Sequence, residues 1–368
     1  MAQNSKIEWC DTTWNVLAGC DKVSDGCKNC YAMQQSHIRA GNPNLKVKAA
    51  YEGTTMKPEG GRVNWTGKIN LLPNRLEQPL HWKKPRKVFV NAMSDLFHED
   101  VPFEFIDRVF AVMHKAEKHT FQILTKRPER ALQYILMAMY DEDCNYGGFY
   151  DQLDRYGIPD ATPMPNNIWL GVSVEDQKTA DERIPLLLQI PAKVRFLSCE
   201  PLLGEVDLKL PVKVWVDSDG DKRCDHCCNK DRCDEHGHYY RPQCPYCRGT
   251  GKGKLLDWVI CGGESGHKGR PMHPGWARKL RDDCKAAGVP YFFKQWGEWV
   301  SARAFKFSER RKMKHLAVGI NGENLKITEE TYRDITPETH SVMVKAGKKA
   351  AGRLLDGVVH NEYPVRQK

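Results

Sequence analysis

Two patterns predict an α/β protein built on a parallel sheet, open or closed as a barrel. Short runs rich in Val, Ile, Phe and Trp alternate about six times with stretches of helical periodicity. An apolar content of 40% over 368 residues supplies a core for one large domain or two ordinary ones. A third observation complicates that frame: there are fourteen cysteines, ten of them in two tight groups. In a reducing compartment such groups point to metal ligation rather than disulfides.

The strand candidates are KVFVNAMSD (87–95), TFQILTKRP (120–128), NIWLGVSVED (167–176), VRFLSCEPL (194–202), DWVICGGES (257–265) and PYFFKQWGEW (290–299). Each is a short apolar run, and several end in polar or glycine residues, as strands buried on both faces do. Helices are expected over 102–118, with Phe105, Val109, Val112 and Met113 on one face and Pro102 in the first turn. Others are expected over 128–140, over 176–190 with Pro185 ending or kinking it, and over 274–288 between Pro274 and Gly288.

In parallel α/β folds the chemistry sits at the carboxyl ends of the strands. That singles out Ser94, Asp95, Thr125, Lys126, Ser173, Glu175, Ser198, Glu200, Glu264, Ser265 and Gln295.

Two segments interrupt the alternation. Residues 141–166, rich in Asp, Tyr, Gly and Pro, read as a long loop, and 212–254 read as a metal-stapled insertion with too little apolar material for its own core. The expected organisation is an N-terminal barrel part (1–211), the cysteine-rich insertion (212–254), the last strands and helix (255–300) and a basic extension (301–368) with a helix over 341–357.

No run approaches the roughly 18 apolar residues of a spanning helix, and the first residues, MAQNSKIEWCDTTWN, lack a signal-peptide core. The expectation is a soluble, cytoplasmic protein. The net charge of +9, clustered in HWKKPRK (81–87) and RAFKFSERRKMKH (303–315), favours a polyanionic partner, nucleic acid first.

The second cysteine group pairs Cys224-x2-Cys227 with Cys244-x2-Cys247, sixteen residues apart, the spacing of a zinc ribbon in which four thiolates close a tetrahedron. Its CPYCRGTGKG also resembles the knuckles of DnaJ-type zinc modules. Cys228, Cys233, His226, His236 and His238 are left over. They leave open a second zinc or an auxiliary iron–sulfur cluster. The four dispersed cysteines, Cys144, Cys199, Cys261 and Cys284, read as small buried hydrophobes.

The first group, GCDKVSDGCKNCYA (19–32), holds Cys20, Cys27 and Cys30 with no fourth ligand beside them. One reading is a zinc site completed by Cys10 or a distant His. The other is a [4Fe–4S] cluster on three thiolates, with one iron left open for a small molecule.

Here the sequence resembles the radical SAM superfamily, whose cluster loop is usually C-x3-C-x2-C followed by an aromatic. Cys27-x2-Cys30-Tyr31 fits that end, while the Cys20-x6-Cys27 spacer is three residues longer. WNVLAGC…GCKNCYA is similar to the loop of the spore photoproduct lyase branch, and VFVNAMSDLFHEDVP, ILTKRPERAL and WLGVSVED resemble its second, third and fourth strands. Over its whole length the chain most resembles a phage-associated family of unknown function that carries IEWxDxTWN…GC…GCxxCYA, GGESG, RPMHPxW, FFKQWG and GRLLDG.

The resemblance implies a partial parallel (βα)6 TIM-like barrel of radical SAM type with the zinc-ribbon-like insertion. It implies a cluster on Cys20, Cys27 and Cys30, S-adenosylmethionine on the open iron, Tyr31 beside the adenine, and Ser173 and Glu175 as further cofactor contacts. An electron donor such as flavodoxin or ferredoxin would reduce the cluster, and cleavage of S-adenosylmethionine would give a 5′-deoxyadenosyl radical.

Gly262-Gly263-Glu264 looks like the superfamily's Gly-Gly-Glu but follows about the sixth strand instead of the second. It reads either as a tight turn or as a glycine-lined substrate contact. By analogy with the lyase branch, the expected substrate is a modified thymine in phage DNA, inside the host cytoplasm. The alternatives are an enzyme of the same superfamily acting on RNA, peptide or a small molecule, and a non-catalytic zinc-dependent nucleic-acid-binding protein.

Overall fold

The computed structural model describes residue 5 and residues 7–140, 148–158, 164–210, 214–216, 222–224, 256–328, 335–336 and 338–364. The chain divides into two compact units, Met1–Ser173 with Ala192–Val194, and Val174–Pro191 with Arg195–Lys368.

The first unit carries the strands β1 (Thr12–Trp14), β2 (Lys87–Val90), β3 (Thr120–Thr125) and β4 (Ile168–Ser173). They pair in parallel in chain order, with Trp14 opposite Val90, Val90 opposite Ile123 and Ile123 opposite Leu170. The sequence did not announce β1. Three residues carry no readable period, and what holds them is the ladder to β2 together with Trp14, fully buried with its indole N–H on Arg75 O at 2.8 Å.

The helices of this unit are α1 (Tyr31–Ala40), α2 (Leu45–Tyr51), α3 (Phe103–Lys115), α4 (Pro128–Tyr140) and α5 (Gly148–Arg155). The apolar face expected on α3 is buried throughout. Pro102 stands at its N-cap, one position before the first turn. Helix α5 replaces part of the loop expected over 141–166. Its Phe149 and Leu153, one turn apart, are buried, and Phe149 meets the His114 ring of α3 edge-on at 5.7 Å.

The second unit opens with α6 (Gln177–Gln189), started by a capping box between Asp176 and Thr179. The helix runs through Pro185 instead of ending there. Pro185 is on the exposed side, so the backbone carbonyl it leaves unbonded faces water. Strands β5 (Val194–Cys199), β6 (Trp258–Gly262) and β7 (Tyr291–Gln295) then pair in parallel, with α7 (Pro274–Ala287) between the last two, closed by Gly288 in the left-handed region as expected.

The seven strands follow chain order through the sheet. A doubly wound fold reverses its order at a switch point; a barrel-type sheet does not. The fold is therefore mixed α/β on a parallel sheet, with a strand order that fits a partial TIM-like arrangement.

The C-terminal segment corrects another expectation. Where a helix was expected over 341–357, an antiparallel sheet forms, ordered β8 (Trp299–Ser301), β11 (His340–Lys345), β9 (His315–Gly319), β10 (Asn324–Leu325). Val342 and Val344 are β-branched and find partners on β9 and β8. Gly347 and Gly352, both at positive φ, confine the helix to α8 (Lys348–Ala351).

Of the insertion expected over 212–254, the described part is the backbone of one antiparallel pair, Val214–Val216 with Lys222–Cys224. The side chain of Cys224 and the whole of Cys227, Cys244 and Cys247 lie outside the described residues, as does Cys144. Among the described residues no helix is long and apolar enough to cross a membrane.

Candidate functional site

The cysteine loop leaves the carboxyl end of β1 and runs into α1. Gly19 opens it in the left-handed region, at φ 101°, where a Cβ would stand 2.0 Å from Lys68 O. Only glycine brings the chain past that carbonyl to place Cys20. Cys27 closes a short 3-10 turn (Asp25–Cys27), and Cys30 is the N-cap residue of α1.

The three thiols sense one another. Burial pushes the Cys20 thiol up to about 12, with Asp95 adding to it and Cys30 contributing a further rise. Burial also raises Cys30, as does its neighbour Cys27. The amides of Ala32 and Met33, at the start of α1, act the other way and favour the Cys30 thiolate. Cys10 sits before β1, at the other end of that strand, with its Sγ on Ser5 Oγ at 3.3 Å. Cys199, Cys261 and Cys284 are buried, as expected for core cysteines.

A polar network stands beside Cys20. Arg127 Nη1 lies 3.8 Å from Cys20 Sγ and 3.4 Å from Asp95 Oδ2, and Arg127 Nη2 pairs with Asp21. Burial works against the guanidinium charge, but Asp95, Cys20 and Asp21 outweigh it, so Arg127 stays charged. His98 Nε2 is 3.4 Å from Asp21. Asp95 also accepts from Thr125 Oγ1 at 2.7 Å and from the Lys126 amide at 2.9 Å.

Of the residues the sequence singled out, Asp95, Thr125 and Lys126 therefore come together with Cys20. Arg127, Asp21 and His98 were missed. The signal for Arg127 was its place two residues beyond β3, directly after Thr125-Lys126. Ser94 Oγ reaches Leu17 O at 3.4 Å. Tyr31 is 54% exposed, and its hydroxyl donates to Ala92 O at 2.6 Å.

Ser173 ends β4, buried. In the second unit Glu175 is fully buried and ion-paired with Arg183 at 3.0 Å. Ser198 lies within β5, with its backbone carbonyl accepting from Val174 N at 3.0 Å.

A second polar cluster forms where β5, β6 and β7 end. Glu200 takes both its oxygens to Lys294 Nζ, at 2.8 and 2.7 Å. Gln295 Nε2 donates to Glu200 Oε1 at 3.0 Å and to Ser265 Oγ at 2.6 Å. The carboxylate can only accept, so it fixes which end of the amide is NH2. Gln295 Oε1 is then buried without a protein partner. Lys294 was legible as the lone cation in an apolar strand.

Gly262 ends β6, and the chain then passes close against the exit of β7. A Cβ on Gly263 would stand 1.9 Å from Trp296 O, and Glu264 is held bidentate by Arg270 at 2.8 and 2.7 Å.

Among the described residues, no three His, Cys, Asp or Glu side chains converge as a single metal ion requires. One ion needs all its thiolates within about 2.3 Å of one point, whereas a cluster spreads them over different irons.

No curated protein and no solved structure matches the chain. The match that does exist takes in both units, the cysteine loop and the polar cluster alike: a family model described as protein of unknown function (DUF5131) fits residues 4–364, and the chain belongs to that family.

Proposed function

We propose that this chain is a radical SAM enzyme that modifies a base in DNA. The observation that carries the reading is one loop after the first strand of a parallel sheet: Cys20 and Cys30 pack against the same buried cluster, and Cys27 closes the turn that leads into Cys30 at the start of α1. In this reading the three thiolates hold a [4Fe–4S] cluster and leave one iron to S-adenosylmethionine. When bound, the pair supplies a carbon-centred radical able to take hydrogen from an unactivated C–H bond.

The chain's own residues do the rest. Arg127 places a fixed positive charge beside Cys20 and favours its thiolate. Asp95 and Asp21 hold that guanidinium in place. The exposed Tyr31 ring offers a stacking face for adenine. Ser173 and Glu175 are proposed as further cofactor contacts, and Gln295 Oε1 as an acceptor for an N–H of the substrate. An external flavodoxin- or ferredoxin-type protein supplies the electron. Cys224, Cys227, Cys244 and Cys247 are proposed as a separate structural zinc site.

Anaerobic reconstitution tests this. The expected product is brown, with about four irons and four sulfides per chain and about one zinc. Cys20→Ala should lose the iron and keep the zinc. Reduced protein with S-adenosylmethionine should release 5′-deoxyadenosine, and more of it with phage DNA. A colourless, zinc-only protein sinks the enzyme reading; release that answers only to RNA or peptide sinks the DNA substrate alone.

A further inference from the structure

Two short segments carry a net positive charge as large as that of the whole chain. Residues 303–314 hold six Lys and Arg with Glu309 as their single acid, and residues 345–353 hold four with no acid. Their excess equals the whole chain's +9, so the remaining residues balance.

The fold brings the two segments to one place. β9 and β11 pair antiparallel, with His315 opposite Val344, and the Lys345 amide donates to Lys314 O at 2.9 Å. The chain therefore enters β9 and leaves β11 at the same end of the sheet. Arg311, Lys312 and Lys314 arrive there, Lys348 and Lys349 depart, and all five are exposed. The acid Glu323 pairs with His340 at the opposite end, where His340 faces Gly319.

Among the described side chains, which leave out that of Phe307, none of the exposed large apolar ones falls in either segment. A surface that docks on lipid combines its cations with apolar residues that enter the bilayer. A cationic surface without them matches phosphates held in water along a polymer backbone.

We infer that this end of the antiparallel sheet docks the phosphate backbone of DNA. The docking surface stands on charge and strand geometry and needs no cluster, while the choice of DNA over RNA rests on the proposed function. The surface positions the polymer and reads no bases.

The test is binding of the full chain to a fluorescein-labelled duplex of about 20 base pairs across a salt series. With about five phosphates neutralised, log K should fall against log[salt] with a slope of about −4 to −5. Lys312→Glu/Lys314→Glu/Lys349→Glu should weaken binding at least tenfold and flatten that slope by two to three, at about 0.9 per lost contact. The same reversal at the exposed Lys46, Lys48 and Lys57 of the first unit should leave binding unchanged. If the Glu variant fails to fold, Lys→Gln at the three positions gives the same ordering.

Equal loss in both triple variants overturns the assignment. So does preference for phosphatidylserine vesicles over DNA, or tenfold tighter binding to RNA of the same sequence. Cys20→Ala/Cys27→Ala/Cys30→Ala should bind DNA as the parent does; loss of binding there would move the contact to the cysteine loop and overturn the proposal. Absence of iron alone leaves this result untouched.

Discussion

Four donors converge on Asp95: the amides of Phe97 and Lys126, the Thr125 hydroxyl and the Arg127 guanidinium. Both members of the ion pair are nearly buried, at 8% and 10% side-chain exposure. A buried cation stripped of its partner costs more than the pair contributes while intact. Asp95→Ala should therefore destabilise by roughly 3–5 kcal/mol, and Asp95→Asn, which removes the charge and turns an NH2 toward two of those donors, by a similar amount. Urea unfolding at neutral pH measures both, and two variants as stable as the parent would show that the network holds nothing in place. The cysteines were legible at this scale because thiol spacing is a local property. Arg127 and Asp21 were not, because they are 106 positions apart and meet only through the fold.

Among the elements, α7 begins on an uncommon cap. His273 Nδ1 accepts the Gly275 amide at 3.0 Å, so the ring is neutral in the folded chain. Burial lowers its pKa to about 4, and the charges of Arg278 and His340 add to the effect. Between the ordinary value near 6.5 and about 4, the unfolded chain binds the extra proton, so stability falls as pH falls through that window. The loss reaches at most about 3 kcal/mol. Asp356, held at about 2 chiefly by its hydrogen bond to Arg278, withdraws its stabilisation only below the ordinary carboxylate range, so the two effects separate. His273→Asn keeps a good N-cap and removes the titration. Its denaturation midpoint should stay level from pH 7 to 4.5 while that of the parent drops, and parallel curves would refute the assignment.

Elements with a strong period were readable: α4 and α7 lie within a residue of their sequence bounds, and α3 ends three residues short of its own. β1 was too short to show a period. The 341–357 stretch mixes good helix formers with Val342, Val344 and three glycines, and strand partners from distant sequence decided its first half.

For the molecule as a whole, the connection between β5 and β6 matters most. It runs from residue 200 to 257 and is tied down at its ends by the buried Leu202, Val206, Leu208 and Leu256. A parallel crossover needs only about a dozen residues, and residues 200–212 already supply that length. Replacing 213–254 with a short Gly/Ser linker should leave the rest folded, within about 1 kcal/mol of the parent, with iron retained and zinc gone. A chain that no longer folds would make the segment a structural necessity. If it folds, the cysteine-rich stretch is an exchangeable cassette spliced into a frame that needs none of it. The thiol loop at the head of the sheet would then stay in place whether or not that stretch is present.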